Sequence, residues 1–281
     1  MKKNYLSKKR RGYIGLMKTL MGLCAGITCA VTLFIIIYVL CKGLPHVSWN
    51  LLSTKPSYLG DNIGILPDIL NTLYMILATL IVVLPLGVGA AVYLNEYAAN
   101  KRVVGIIEYA AETLSGIPSI IFGLVGMLFF CQFLDMKTSL AAGAMTLVIM
   151  NLPTVMRTTQ ESLKTVPDSY REGSFGLGAG KLRTVFAIVL PTAIPGILAG
   201  VILAVGRIVG ETAALLYTSG TVAAVPDSLM GSGRTLSVHM YSLTSEALYM
   251  DQAYATAVVL LVVVIAINAF SSWVAKRIKK V

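Results

Sequence analysis

Six apolar stretches dominate the chain, at about 18–41, 68–94, 110–134, 138–156, 192–218 and 253–275. Each is about 20 residues or longer, the length a helix needs to cross a hydrocarbon core. Inside lipid every backbone polar group must find its partner within the protein, so only helices and closed barrels span. Barrel strands are only about ten residues long and alternate in polarity, which these runs do not. The balance of the chain agrees: 56% of its 281 residues are hydrophobic and 13% charged, with a mean hydropathy of +0.78. An all-α, polytopic helical membrane protein with six spans is expected.

The charges orient it. In a six-span topology, eighteen of the 23 Lys and Arg fall on the side of the N-terminus, and only Lys42, Lys55, Lys137 and Arg234 fall on the other; Arg207 lies within a span. Basic residues concentrate on the cytoplasmic side, so both termini are expected there. The net charge of +10 is then topological, not a sign of nucleic-acid binding. The apolar run beginning at Thr19 is too long for a signal-peptide core and lacks a small-x-small cleavage site, so it is read as a retained span. Cys24, Cys29, Cys41 and Cys131 have no metal-ligand spacing and read as small packing residues. The external loops, 42–67 and 219–252, carry Trp49, Tyr58, Tyr241 and Tyr249, aromatics suited to the interface; they cover the mouth of a pathway, meet an external partner, or simply fill the interface.

Several spans contain proline: Pro85, Pro118 and Pro153, with Pro191 and Pro195 entering the fifth. Each removes a backbone donor and favours a kink. Small-xxx-small pairs at Gly22/Gly26, Gly196/Gly200 and Gly206/Gly210 predict close helix contacts. The fifth span also carries Arg207 and Glu211, four residues apart and so on one helix face if the helix is continuous. A charge at the bilayer centre costs about 2.5–3.5 kcal/mol on an insertion scale. Such a pair either neutralises itself as a packing element or lines a polar path. A guanidinium fork matches paired oxygens, which points to a small oxyanion, with Thr212 adding a hydroxyl. Glu112, Ser115 and Ser119 are weaker candidates, because membrane Ser and Thr more often bond their own backbone.

Between the fourth and fifth spans lie about thirty residues, 166–195, too many for a simple connector. Pro167 and Asp168 suit a helix start, and Gly176 or Gly178 a left-handed stop. A second amphipathic piece from Lys181 to Leu190 is expected to end at Pro191. The turn would present Tyr170, Glu172 and Phe175 as a knob for a socket on another protein; a plain interfacial helix is the simpler reading.

Here a family resemblance enters. Glu172-Gly173-Ser174, three residues to Gly178, then nine to Ile188-Val189-Leu190-Pro191, resembles the E-A-A, three, G, nine, I-x-L-P signature of ABC importer permeases, with Gly173 and Ser174 replacing the alanines. The stretches NTLYMI…LPLGVGAAVYLNEYA, ETLSGIPSIIFG, TVPDSYREGSFGLGA and LPTAIPGILAGVILAVGRIVGETAALLYT resemble the phosphate-specific branch. The resemblance implies a type I importer permease fold. It implies that Tyr170, Glu172, Gly173, Ser174, Phe175, Gly178 and Pro191 belong to a coupling element for a cytoplasmic ATPase. It also implies that Arg207 and Glu211, with Thr212 beside them, lie on the path of phosphate. The implied partners are a second homologous permease, making a heterodimer, two ABC ATPase subunits and an external phosphate-binding protein, in a bacterial cytoplasmic membrane.

The corresponding division is a cytoplasmic tail over 1–17, a first span and external loop over 18–67, a permease core over 68–276 with the coupling segment at 158–191, and a tail over 277–281. No G-x-x-x-x-G-K-[ST] phosphate loop occurs, so ATP would be bound by a partner, and the chain itself is expected to be no enzyme and to carry no cofactor or metal. Permeases for molybdate, sulfate or a phosphonate, and a proton-coupled carrier using Arg207 and Glu211, are the alternatives.

Overall fold

The structure, a computed structural model, describes residues 8–56, 63–247 and 249–278. Residues 1–7 of the N-terminal tail, Tyr58, and Lys279 and Lys280 of the C-terminal tail lie outside the described residues.

The described residues form helices joined by connections, the longest of them over 219–235. A long first helix, α1 (Lys8–Gly43), is followed by the short α2 (Trp49–Ser53) and then α3 (Leu66–Val92), which continues through a wider π turn at Tyr93–Tyr97. Next come α4 (Lys101–Ser115), α5 (Ser119–Gly126) with a π-wound end at Met127–Phe133, and α6 (Leu140–Lys164). α7 (Asp168–Gly176) and α8 (Lys181–Thr184) lead through a π turn at Val185–Val189 into α9 (Leu190–Gly210). α10 (Ala213–Thr218), α11 (Leu236–Glu246) and α12 (Met250–Ile278) complete the chain. Among the described residues, five helical stretches are long and apolar enough to cross a membrane, and the bent pair α4 and α5 makes a sixth if it counts as one span.

The core forms where α3, α6 and α9 meet. Met75 and Ile76 of α3, Leu140, Leu147 and Met150 of α6, and Val205 and Ile208 of α9 form one buried cluster, closed by Leu215 of α10 and Val238 of α11. Towards the α7 end, Ala91 and Val92 of α3 pack with Met156 and Leu163 of α6 and with Val189 and Ala193 on the approach to and first turn of α9. The first span stands apart. None of its most apolar window is buried; it meets the body near its end, where Tyr38 lies edge-on to Tyr254 of α12 with centroids 6.0 Å apart.

Three readings of the helices are corrected. The third span is broken: α4 and α5 meet at 99°, because Pro118 has no N–H to continue the ladder and the residue before a proline is driven out of the helical region. Pro85 and Pro153, by contrast, sit inside uninterrupted helices. The fifth span ends at Gly210; Glu211 is extended (φ −73°, ψ 125°) and a new helix starts at Ala213. Arg207 and Glu211 therefore do not share one helix face. Finally, no break occurs at Pro191, and the helical stretch runs from Lys181 to Gly210. The π turn just before the proline widens the backbone where its ring would otherwise press on the preceding turn.

The small-residue pairs divide in a telling way. A Cβ on Gly196 would lie 2.3 Å from the Ser162 hydroxyl and one on Gly200 2.1 Å from that of Thr158, so these two bring α9 onto α6 as expected. A Cβ on Gly22, Gly26, Gly206 or Gly210 would meet nothing; within this chain those positions face open space. Of the cysteines only Cys131 is buried, so the packing role expected of all four holds, within this chain, for that one.

Gly123 is the most constrained of the packing glycines on α5, because its missing Cβ would lie 2.8 Å from the Cα of Ala214, a backbone atom that cannot rotate away. Gly123→Leu is expected to destabilise the purified chain by about 1–3 kcal/mol through overpacking. Gly26→Leu should stay within about 0.5 kcal/mol. Thermal unfolding in detergent separates them; equal losses would contradict this packing.

Candidate functional site

The segment between α6 and α9 forms the helix, turn and helix that its glycines suggest. α7 opens after Pro167, with Asp168 in its first turn. It closes in a Schellman arrangement: the Gly178 N–H reaches the Phe175 carbonyl at 2.9 Å, and the Ala179 N–H the Ser174 carbonyl at 3.1 Å. Gly178 is left-handed, φ +83°, which is why glycine stands at that point of the motif. Tyr170 and Phe175 are half exposed, as the knob reading expects, and Glu172 is exposed with no hydrogen bond or ion pair to the described residues. Leu177, overlooked in the sequence, is the most prominent: 91% exposed at the tip of the turn. Beside it opens a cleft of about 610 Å³, lined by Tyr170, Gly173, Leu177 and Arg183 among others.

The two residues standing for the motif's alanines serve different ends. A side chain on Gly173 would meet nothing within the chain. Ser174 is buried, and its hydroxyl pairs with that of Thr184 at 2.8 Å, closing the turn onto α8. Pro191 is exposed at the start of α9.

What fixes α7 to the bundle is Arg171. Its Nη2 donates to Glu96 Oε1 at 2.8 Å and to the Leu163 carbonyl at 3.1 Å; its Nη1 donates to the Val166 carbonyl at 2.9 Å and to Asp168 at 3.0 Å. The arginine side chain is 16% exposed and the glutamate 8%. The hydrogen bonding of Glu96 outweighs burial and holds Arg171 above its ordinary value, fixing its charge. One guanidinium thus joins α7, the end of α6 and the π turn after α3. Next to it the Lys181 ammonium lies 5.2 Å from the centre of the Tyr97 ring, a cation–π contact. The sequence offered only a weak signal for this pairing, an acidic residue in LNEYA closing an apolar run, because the partners are 75 residues apart.

The second candidate region is the break after α9. Arg207 is half-buried in the last turn of the helix and has no hydrogen-bond or ion-pair partner among the described residues. Gly206 and Gly210 leave open space beside it. Glu211 is buried and occupied elsewhere: its Oε1 accepts the Ala214 N–H at 3.1 Å, capping α10. Its own carbonyl accepts the Ser237 hydroxyl of α11 at 2.6 Å. The hydroxyl of Thr212 reaches only the Gly210 carbonyl, at 3.5 Å. The structure therefore brings Arg207, Glu211 and Thr212 close in the chain but leaves the arginine alone with an unfilled face. Of the weaker candidates, Ser115 bonds its own helix through the Ala111 carbonyl, as expected of a membrane serine. Glu112 is paired with Arg157 of α6 at 3.4 Å.

At the end opposite α7, the loop 219–235 is fastened down and is not filler. Its Leu229 and Gly231 carbonyls accept the N–H groups of Ala141 and Leu140, the first turn of α6. Arg234 Nε donates to Asp68 Oδ1 at 2.8 Å; the aspartate is fully buried and the arginine 12% exposed. His239 lies beside them, 3.7 Å from Asp68. Burial first, and then the charge of Arg234, push it down to about 3, so it is neutral.

With this geometry in hand, the relatives are informative. Residues 83–280 match the family described as binding-protein-dependent transport system inner membrane component. This chain belongs to that family. It is an ABC importer permease subunit, a multi-pass membrane protein with no ATPase site of its own. The family match covers Glu96, Arg171, Arg207, Glu211 and Arg234 and leaves out α1 and Asp68. The permease is 32% identical over 275 residues to the probable ABC transporter permease protein YqgI of Bacillus subtilis, covering 92% of this chain and 94% of that one. It is 36% identical over 197 residues to the phosphate transport system permease protein PstA 2 of Mycobacterium bovis, covering 70% of this chain and 64% of that one. Among solved structures it resembles a chain of a bacterial alginate ABC transporter complex (TM-score 0.67, 16% identity, covering 94% of this chain and 97% of that one). It also resembles a chain of the MetNI methionine ABC transporter (TM-score 0.64, 18% identity, covering 76% and 95%). At those identities the likeness is one of fold.

The cap on α10 gives a direct test of where the Glu211 carboxylate acts. Glu211→Ala removes the acceptor for the Ala214 N–H and should cost about 0.5–2 kcal/mol, as loss of a helix cap does. Glu211→Gln keeps an acceptor oxygen and should lose less than half of that. Thermal unfolding of both variants reads the difference; equal losses would place the carboxylate elsewhere.

Proposed function

We propose that this permease carries inorganic phosphate through the membrane of an ATP-driven importer. The observation that carries this reading is Arg207: a half-buried arginine in a membrane helix, between two glycines whose missing Cβ atoms would meet nothing, with no partner among the described residues. Leaving a charge unpaired in the bilayer is costly, so a partner from outside this chain is called for. An oxyanion in transit fits the donor fork, and the relatives named for phosphate transport favour phosphate among oxyanions. In this reading Glu211 shapes the break beside the arginine by capping α10, and Thr212 borders the same opening. Both termini and α7 face the cytoplasm, in accord with the basic residues, in a bacterial cytoplasmic membrane.

The exposed turn of α7, with Tyr170, Glu172, Gly173, Phe175, Leu177 and Gly178, then docks on an ABC ATPase that binds the ATP. Two such ATPases, a second homologous permease completing the path, and an external phosphate-binding protein make up the assembly. Ser174 acts inside the chain by locking the turn, and Pro191, exposed in the first turn of α9, lies at the end of the coupling segment.

The charge at Arg207 is tested by Arg207→Gln in a strain whose phosphate uptake depends on this permease. Labelled phosphate uptake is expected to fall to background while the variant still co-purifies with its ATPase; uptake at the wild-type rate overturns the transit role. The docking of α7 is tested separately with Gly178→Val, which forces a β-branched residue into a left-handed position at a cost of about 1–2 kcal/mol. ATPase co-purification or transport coupling should be lost; retention of both would contradict the docking assignment.

A further inference from the structure

One helix is gripped at both ends by a buried arginine–carboxylate pair. At the outer end, Asp68 in the first turn of α3 accepts both Nε (2.8 Å) and Nη2 (3.4 Å) of Arg234. One turn further on, the Asn71 amide donates to the Ala224 and Arg234 carbonyls at 3.0 and 3.1 Å. The Thr72 hydroxyl accepts the Leu236 N–H at 3.0 Å. These contacts seat the loop 219–235 and the start of α11 on the head of α3. At the inner end, Glu96 accepts from Arg171 of α7, and Tyr97 carries Lys181 of α8. Twenty-eight residues separate Asp68 from Glu96, roughly 40 Å of helix, and the helix is continuous through Pro85.

A buried pair of this kind behaves as a joint. Removing either member strands the other charge away from water, so the two segments it connects resist being parted. α6 also reaches both ends, but through backbone groups: the Leu140 and Ala141 N–H groups outside, the Leu163 carbonyl inside. The covalent route from α7 runs into α9, which stops at Gly210. α3 is the helix that holds both surfaces by charge.

We propose that α3 is the strut coupling the external loop 219–235 to the coupling helix α7, with Asp68, Arg234, Glu96 and Arg171 as its positioning residues. A displacement of the loop when an external protein docks is carried to α7 as a movement of α3 along its packed face on α6. The orientation and the partners in this statement rest on the proposed function; the mechanical link does not.

The test is amide hydrogen exchange on the full chain in lipid nanodiscs, which needs no substrate. The variant Asp68→Asn combined with Arg234→Gln removes both charges while nearly keeping shape. Exchange across 168–176 is expected to rise about fivefold or more, the lower range of site-to-site coupling, with α9 and α12 unchanged. Exchange there at the wild-type rate, while 219–235 loosens, overturns the proposal. Should that variant not fold, Glu96→Gln reads the link in reverse, since coupling is reciprocal: exchange across 219–235 must rise, and an unchanged loop overturns it. A chain that fails to carry phosphate would leave this result standing, and the converse also holds.

Discussion

The contact on which the architecture around α7 depends is the guanidinium of Arg171. Its donors satisfy Glu96, Asp168 and two carbonyls at the end of α6. α7 buries little apolar surface of its own; Ser174 is its one buried residue. A helix of nine residues is too short to be stable from its backbone alone. Its position must come from tertiary contacts, and Arg171, the Schellman turn and the Ser174–Thr184 pair supply them. That leaves the outer side of the turn free, which a docking element requires.

The same economy governs the membrane interior. Charged groups there are either consumed by the fold or left without a partner, while the side-chain oxygens of Thr79, Asn151 and Thr159 are buried without one. Glu211 is used as a helix cap, and Ser162 and Thr158 bond their own helix while letting α9 approach. Among the charged groups described there, Arg207 is the exception, and a Cβ on the neighbouring Gly206 or Gly210 would meet nothing. Satisfied charges elsewhere make the unsatisfied one informative. In this respect the break after Gly210 matters as much as the arginine, because a continuous helix would have tied Glu211 to it.

Much of the fold was legible from the sequence, since hydrophobic run length is a strong signal in a membrane chain. The start of α7 at Asp168, its stop at Gly176, and the left-handed Gly178 were also legible, because caps are local chemistry. What escaped was non-local or depended on breaks. Pro118, Pro85 and Pro153 look alike in sequence, yet of the three only Pro118 stands at a helix break, since whether a proline breaks a helix depends on the helices packed around it. Glu211 reads as part of an apolar run because nothing in the run announces the extended residue. Glu96 with Arg171, and Asp68 with Arg234, are 75 and 166 residues apart, and pairing across such distances leaves no local pattern.

The central claim is that this subunit passes phosphate under the control of ATP. The most direct measurement is uptake of labelled phosphate into liposomes that hold the assembled transporter with ATP enclosed on the ATPase side and the binding protein outside. The account predicts ATP-dependent accumulation that unlabelled phosphate abolishes and that molybdate or sulfate in equal amount leaves in place. Accumulation of another oxyanion in preference to phosphate, or uptake indifferent to ATP, would contradict it.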